Sequence, residues 1–175
     1  ILMVAYPLRY DPGVRKAKEV LEGLKRSGEL GRIISVRGLC VGDDWRAGFF
    51  ETEPLITTDE APPPIEPKLP DFLPRDLMWP YLFFNNCYCH NVNLVRYLFG
   101  DPLEVAYFEV TEGVYRLILH TKDKVSMDLE LGHKRPDWWD ESLTIVFEKG
   151  WLEIRTPPRL LRNASAVIRL YRADR

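Results

Sequence analysis

Reactive side chains are scarce in these 175 residues, which hold three cysteines and three histidines. Cys40, Cys87 and Cys89 are odd in number and too few for a disulfide scaffold at this length, which fits a reducing compartment and a cytoplasmic location. An excess of one charge is also missing. With 24 Lys plus Arg against 26 Asp plus Glu the net charge is -2. No global field exists to hold a polyanion, so nucleic acid and anionic membrane are set aside as partners. Glycine-rich phosphate loops, nucleophile elbows and paired-carboxylate hydrolase sites are all missing. The apolar start, Ile1 to Ala5, lacks a basic lead-in and a small-residue cleavage site, so it is no signal peptide. Residues 77–95 carry no Asp, Glu, Lys or Arg, yet Pro80, Asn85, Asn86, His90, Asn91 and Asn93 make this stretch too polar for a membrane span.

What is present suffices for one packed domain over residues 1–175, at 46% hydrophobic and 12% aromatic content. Ile1 to Tyr6 reads as a short buried strand. Asp11-Pro12 offers a capping side chain and a preset φ, and Val14, Ala17, Val20, Leu21 and Leu24 recur at helical spacing up to Ser27-Gly28. Arg32 to Val41 reads as a strand broken at Gly38. Eight of the fourteen prolines fall in residues 54–80, which forbids regular structure there and marks a surface excursion. A second helix is expected over residues 81–99, between Pro80 and Gly100. Beyond Pro102 the period becomes two. Val125, Met127, Leu129 and Leu131 alternate with Ser126, Asp128 and Glu130, the pattern of a strand buried on one face. Strands are further expected over residues 103–110, 114–120, 143–147, 152–154 and 166–171, with turns at Asp123 and Lys149-Gly150. This order gives an α+β class: an open mixed or antiparallel sheet with helices packed on one face.

On the second helix Asn86, His90, Asn93 and Tyr97 fall at i, i+4, i+7 and i+11, so one stripe carries amide, imidazole, amide and phenol. Two carboxamides donate to and accept from hydroxyls, and an imidazole gives or takes a proton near neutrality. A histidine merely satisfied in a polar helix-to-loop contact fits the same spacing. Cys87 and Cys89 point to opposite sides of a helix with no second ligand pair nearby, so no metal site is expected. Trp138-Trp139 beside Asp140 fits sugar stacking or plain packing. His120 and His133 are expected at surface or edge positions. The arginines at 155, 159, 162, 169, 172 and 175 carry no nucleic-acid motif and read as a solvated or subunit-facing strand. Asn163-Ala164-Ser165 is a glycosylation sequon without meaning in a cytoplasmic protein.

Three stretches in order resemble one family. Val4–Pro12 (VAYPLRYDP), with the helix that ends in SGELGRII, is similar to the start of the second domain of the glucose-fructose oxidoreductase/inositol dehydrogenase (Gfo/Idh/MocA) family. The segment CHNVNLVRYLFGDP, residues 89–102, resembles that family's G-x-H-x-x-D-x-x-x-x-L-x-G-x-P helix, and LTIVFEKGWLEIRTP, residues 143–157, its late strand pair. The resemblance implies the C-terminal substrate-binding and oligomerisation domain, a dihydrodipicolinate reductase-like C-terminal fold. It implies as partner an N-terminal Rossmann domain, not contained in these residues, that holds NAD or NADP. His90 matches the family histidine that contacts a sugar or polyol hydroxyl and helps move its proton while hydride passes to or from nicotinamide. Arg9 and Tyr10 match an arginine-aromatic pair near the cleft, and Asn86, Asn93 and Tyr97 are carried as substrate contacts. The family often has acidic residues where Asn86 and Asn93 stand, and a glycine where Tyr88 stands. Asn86 orients an imidazole but brings no charge.

Neither G-x-G-x-x-G nor the family's E-K-P segment occurs, so the cofactor-binding residues are not identified and this chain alone is expected neither to bind dinucleotide nor to act. The start without Met and the stop at Arg175 read as the ends of a piece of a longer chain. In the family the exposed sheet face packs on another subunit, which implies a homodimer or homotetramer. The competing reading is a non-catalytic oligomerisation or ligand-binding scaffold with the same fold.

Overall fold

In the computed structural model, residues 5–42, 58–61, 63–64, 69–100, 103–132, 139–159, 161 and 163–173 are described. A 3-10 turn, Pro7–Tyr10, leads into helix α1, Pro12–Ser27. Asp11 Oδ1 accepts from the Val14 amide at 3.0 Å, which satisfies one of the four amides a helix start leaves unpaired. Gly28 ends the helix with φ 66° and donates to Leu24 O. The left-handed backbone there suits a residue without Cβ. Val14, Ala17, Leu21 and Leu24 form the buried stripe.

Seven strands follow the expected period-two pattern: β1 Ile33–Gly42, β2 Leu103–Thr111, β3 Val114–Thr121, β4 Ser126–Gly132, β5 Trp139–Phe147, β6 Gly150–Thr156 and β7 Val167–Arg172. They form one sheet in the order β2-β3-β4-β1-β5-β6-β7. Among the described residues only the β1·β4 pair is parallel. The class is α+β, a mixed sheet, as the alternation implied.

Two layers share the core. On the sheet, Val36, Cys40, Tyr115, Leu117, Leu119, Met127, Leu129, Leu131, Leu143, Ile145, Phe147, Leu152 and Ile154 are buried. Leu94, Val95 and Leu98 join α1 on the helical side. The opposite face is open, with Arg37, Arg116, Asp128 and Glu130 exposed along it.

Several expectations change. The strand expected over Ile1 to Tyr6 does not reach Tyr6: Ala5 and Tyr6 are irregular and the 3-10 turn follows, while Ile1 to Val4 lie outside the described residues. The preset φ at Pro7 starts that turn. Strand β1 runs through Gly38 unbroken. A Cβ at Gly38 would stand 2.4 Å from Leu129 Cδ2 and 3.2 Å from Leu143 Cδ1, so this glycine makes room for two leucines. The second helix is three pieces: α2 Met78–Phe83, a π turn Phe84–Tyr88, and α3 Cys89–Phe99. Tyr88 is buried by the π turn, its ring 4.9 Å from that of Tyr115, and Tyr115 Oη donates to Pro80 O at 2.9 Å. Aromatic packing on the sheet thus holds the wider turn in place. Within residues 54–80, the described part contains only the 3-10 turn Arg75–Leu77 and the start of α2. Among the described residues no helix is long and apolar enough to cross a membrane.

The start of α1 is also pinned to the last strand. Asp11 Oδ1 and Oδ2 both accept from the Ala166 amide at 3.1 Å, and a Cβ at Gly13 would fall 2.1 Å from Ala166 O. Gly13→Ala is therefore expected to destabilise the fold by about 1–3 kcal/mol despite alanine's helix propensity. Gly23, with nothing within 4 Å of its would-be Cβ, is the contrast: Gly23→Ala is expected to stabilise by roughly 0.5–1 kcal/mol. Urea midpoints of the two variants moving in the same direction would contradict this packing.

Candidate functional site

The sheet's helix-facing side carries one charge where apolar side chains are the rule. Glu141 sits on β5 at the inward position shared with Leu143, Ile145 and Phe147, and is 2% exposed. Its neighbours in register are Cys40 on β1 and Thr156 on β6, both buried. A lone carboxylate there would be costly, so it must be paired and hydrogen-bonded. Beyond β6, Pro157-Pro158 turns the chain and Arg159 comes back over the sheet. Its Nη2 donates to Glu141 Oε1 at 2.7 Å. From above, Asn91 of α3 donates its amide to the same oxygen at 2.7 Å. The Arg159 guanidinium also lies 5.6 Å from the Trp139 ring centre, a contact between cation and aromatic face that suits a desolvated arginine.

This corrects the reading of Arg159 as part of a solvated or subunit-facing strand. It is drawn inward, its side chain 15% exposed, because Glu141 needs its charge, whereas Arg155, Arg169 and Arg172 pair with Asp140, Glu153 and Glu29 on the exposed side. Arg162 and Arg175 lie outside the described residues, as do Trp138 and His133. Burial works against the guanidinium charge, yet Glu141 holds its pKa above the ordinary value.

His90 follows Cys89 at the start of α3, next to Asn91, and is half-buried. The Tyr6 ring meets its imidazole edge to face, centroids 5.7 Å apart at 76°. Tyr6 also carries the Arg9 guanidinium 5.9 Å from its centre, and Arg9 lies 5.5 Å from the Tyr97 ring. Arg9 Nε donates to Asn93 Oδ1, and Lys18 Nζ stands 4.1 Å from the Tyr97 centre. Arg9, Asn93 and Tyr97 are thus brought together, with Tyr6 joining them to His90.

Asn86 and Tyr10 stand elsewhere. Asn86 is exposed in the π turn, its amide 3.9 Å from Cys87 Sγ. Hydrogen bonds from i to i+5 widen that turn, so a residue four before His90 no longer lies beneath it. Tyr10 is 57% exposed, packs under Arg15, and lines a hollow of about 240 Å³ with Asp11, Thr156, Pro158, Arg159 and Leu161.

The electrostatics favour a neutral imidazole. Burial, then the positive Arg159, push the His90 pKa below 6.5, and Glu141 opposes them. Burial also pushes the Cys40, Cys87 and Cys89 thiols up, the reverse of what a reactive or metal-binding thiol needs. Among the described residues, five buried polar atoms have no protein partner: His90 Nδ1, Asn91 Oδ1, Trp139 Nε1, Glu141 Oε2 and Arg159 Nε. All belong to this one cluster.

Glu141, Arg159 and Asn91 were not read as site residues from the sequence. The available signal was a glutamate at an inward position of an alternating strand; its partners are distant in sequence and leave no local trace.

No family model and no curated protein matches the sequence. Solved structures match it over nearly all its length. The 3-ketoreductase KijD10 from Actinomadura kijaniata, in complex with NADP, is 13% identical at a TM-score of 0.64 over 100% of this chain and 45% of its own. A putative NADPH-dependent oxidoreductase from Desulfitobacterium hafniense gives 13%, 0.61, 98% and 49%. The scyllo-inositol dehydrogenase from Lactobacillus casei with bound NAD(H) and scyllo-inositol gives 14%, 0.56, 94% and 46%. The fold is that of the C-terminal domain of Gfo/Idh/MocA-type oxidoreductases. The chain spans about half the length of these structures.

The lowered His90 pKa has a consequence for stability. The unfolded chain takes up the imidazole proton at higher pH than the folded one, so stability falls as pH drops from near 6.5 toward the folded value. Between about pH 7.5 and about pH 5, His90→Gln is expected to flatten part of the decline in urea midpoint. An unchanged slope would show that the folded imidazole titrates as the unfolded one does.

Proposed function

We propose that this chain is the substrate-binding and assembly domain of an NAD(P)-dependent oxidoreductase that moves hydride to or from a sugar, polyol or related hydroxylated compound. The observation that carries the reading is His90: a half-buried imidazole, biased to its neutral form and packed on Tyr6 beside the Arg9–Asn93–Tyr97 cluster. A neutral imidazole accepts the hydroxyl proton as the carbon becomes a carbonyl and returns it in the reverse direction. Arg9 donates to Asn93 Oδ1 and so orients the carboxamide, whose N–H groups are assigned as donors to a substrate oxygen. Tyr97 is assigned as a further substrate contact, whereas Tyr10 and Asn86, which stand apart from this group, are not.

The start of α1 does not offer a dinucleotide cradle. The start of α1 is capped by a carboxylate, Asp11, and closed by Ala166 against Gly13, where a phosphate would need bare amides and open space. NAD or NADP, which supplies or takes the hydride, is therefore assigned mainly to an N-terminal Rossmann domain, and these residues alone to an inactive half-site. The solved oxidoreductases of the same fold, with NADP or NAD(H) bound, support a nicotinamide cofactor.

Self-association is assigned to the open sheet face. Leu39 and Ile118 lie there with Arg37, Arg116, Asp128 and Glu130 around a concavity of about 430 Å³. Both charge signs on one patch suit a two-fold contact. A second reading, a non-catalytic scaffold with the same fold, is favoured by the uncharged Asn86 and Asn93.

One measurement separates these readings and a second locates the interface. In the full-length protein, assayed against polyols and sugars with NAD and NADP, His90→Ala is expected to lower turnover by about 100-fold or more with cofactor affinity unchanged. Unaltered turnover removes His90 from proton transfer, and no turnover with any substrate favours the scaffold. Ile118→Lys is expected to shift the sedimentation of the protein from dimer or tetramer to smaller species with an unchanged circular dichroism spectrum; an unaltered assembly places the interface elsewhere.

A further inference from the structure

We propose that Glu141 and Arg159 are positioning residues for His90, an ion pair that anchors the start of α3 and acts on its imidazole with two opposed charges. Three connections carry this. Asn91 follows His90 directly on α3, and its amide is bonded to Glu141 Oε1 at 2.7 Å, so the ion pair holds the turn of helix from which the imidazole projects. Arg159 Nη2 is bonded to that same oxygen at 2.7 Å, which places the positive charge on the helix side of the carboxylate. Among the described residues, the buried atoms without protein partners include one from each member of the group: His90 Nδ1, Asn91 Oδ1, Glu141 Oε2 and Arg159 Nε. A cluster kept only for stability would be expected to satisfy these atoms or replace them with apolar side chains, since a buried pair is often no better than a hydrophobic isostere.

The charges acting on His90 are those of Arg159, which disfavours a second cation, and Glu141, which favours one. The other ionisable groups of the surroundings are accounted for. Cys40 on β1 lies against the same ion pair and is held protonated, as are Cys87 and Cys89 on the preceding turn and the first residue of α3. On the far side, Tyr6 presents its ring, and Arg9 is engaged by Asn93, Tyr6 and Tyr97. The pair therefore offers two independent adjustments of opposite sign on one imidazole. It supplies a field by distant pairing where an acidic residue on the same helix would supply one by proximity, and Asn86 and Asn93 bring no charge of their own.

This inference builds on His90 as the proton carrier, but its test reads the imidazole directly and stands apart from any turnover assay. The full-length protein, labelled with ¹³C-histidine, is titrated by NMR, with the His90 resonance assigned by its loss in His90→Gln. Arg159→Gln is expected to raise the His90 pKa and Glu141→Gln to lower it, each by on the order of one unit, while Arg159→Lys, which keeps the charge, leaves it near the parent value. Loosened packing alone moves both glutamine variants the same way, toward the solvent value. Shifts in one common direction, or none in either variant, would overturn the proposal. Should Arg159→Gln fail to fold because Glu141 is left unpaired, the same substitution is read in the Glu141→Gln background, where it must still raise the pKa.

Discussion

A carboxylate buried at 2% exposure on the helix-facing side of a sheet constrains everything near it. Glu141 stands where β1, β5 and β6 run side by side beneath α3, with Cys40 and Thr156 across from it. A carboxylate is tolerated there beside the cation and the amide that reach it. The path of the chain after β6 follows: the Pro157-Pro158 turn brings Arg159 inward to Glu141. The setting of α3 follows as well, since Asn91 is anchored to the same oxygen. The imidazole one residue earlier inherits its place from both.

A second anchor works from the other end of the molecule. Asp11 caps α1 and holds the Ala166 amide at the approach to β7, and Gly13 allows the close contact that this needs. The 3-10 turn before α1 is thereby held against α3, so that Arg9 meets Asn93 and Tyr97, and Tyr6 meets His90. The candidate site is the meeting of two such attachments. Each is tied by hydrogen bonds to a strand or a helix, which suits a site whose groups must hold orientation.

The fold was largely legible because its signals are local. A proline-led helix with an aspartate cap, a left-handed glycine at its end and a strict alternation along β4 each declare themselves within a dozen residues. Gly38 misled because a glycine in a strand reads as a break, and nothing nearby in sequence says that Leu129 and Leu143 need its space. The π turn was missed for a similar reason: Tyr88 and Tyr115 decide it from elements far apart. At the site, His90, Asn93 and Tyr97 were found by helical spacing, and Arg9 by resemblance. Asn86 kept its spacing on paper, but the π turn moved it into solvent.

From the sequence alone came the α+β class, the absence of any field for a polyanion, and a polar stripe around one histidine. These depend on composition and on periods that are visible within single elements. Tertiary structure alone decided that Arg159 is inside rather than outside and that Glu141 and Asn91 belong with it. It also decided that the imidazole at position 90 is biased toward its neutral form. A buried charge is tolerated only beside its partner, and those partners stand 18 and 50 residues from Glu141, a separation that no local pattern records.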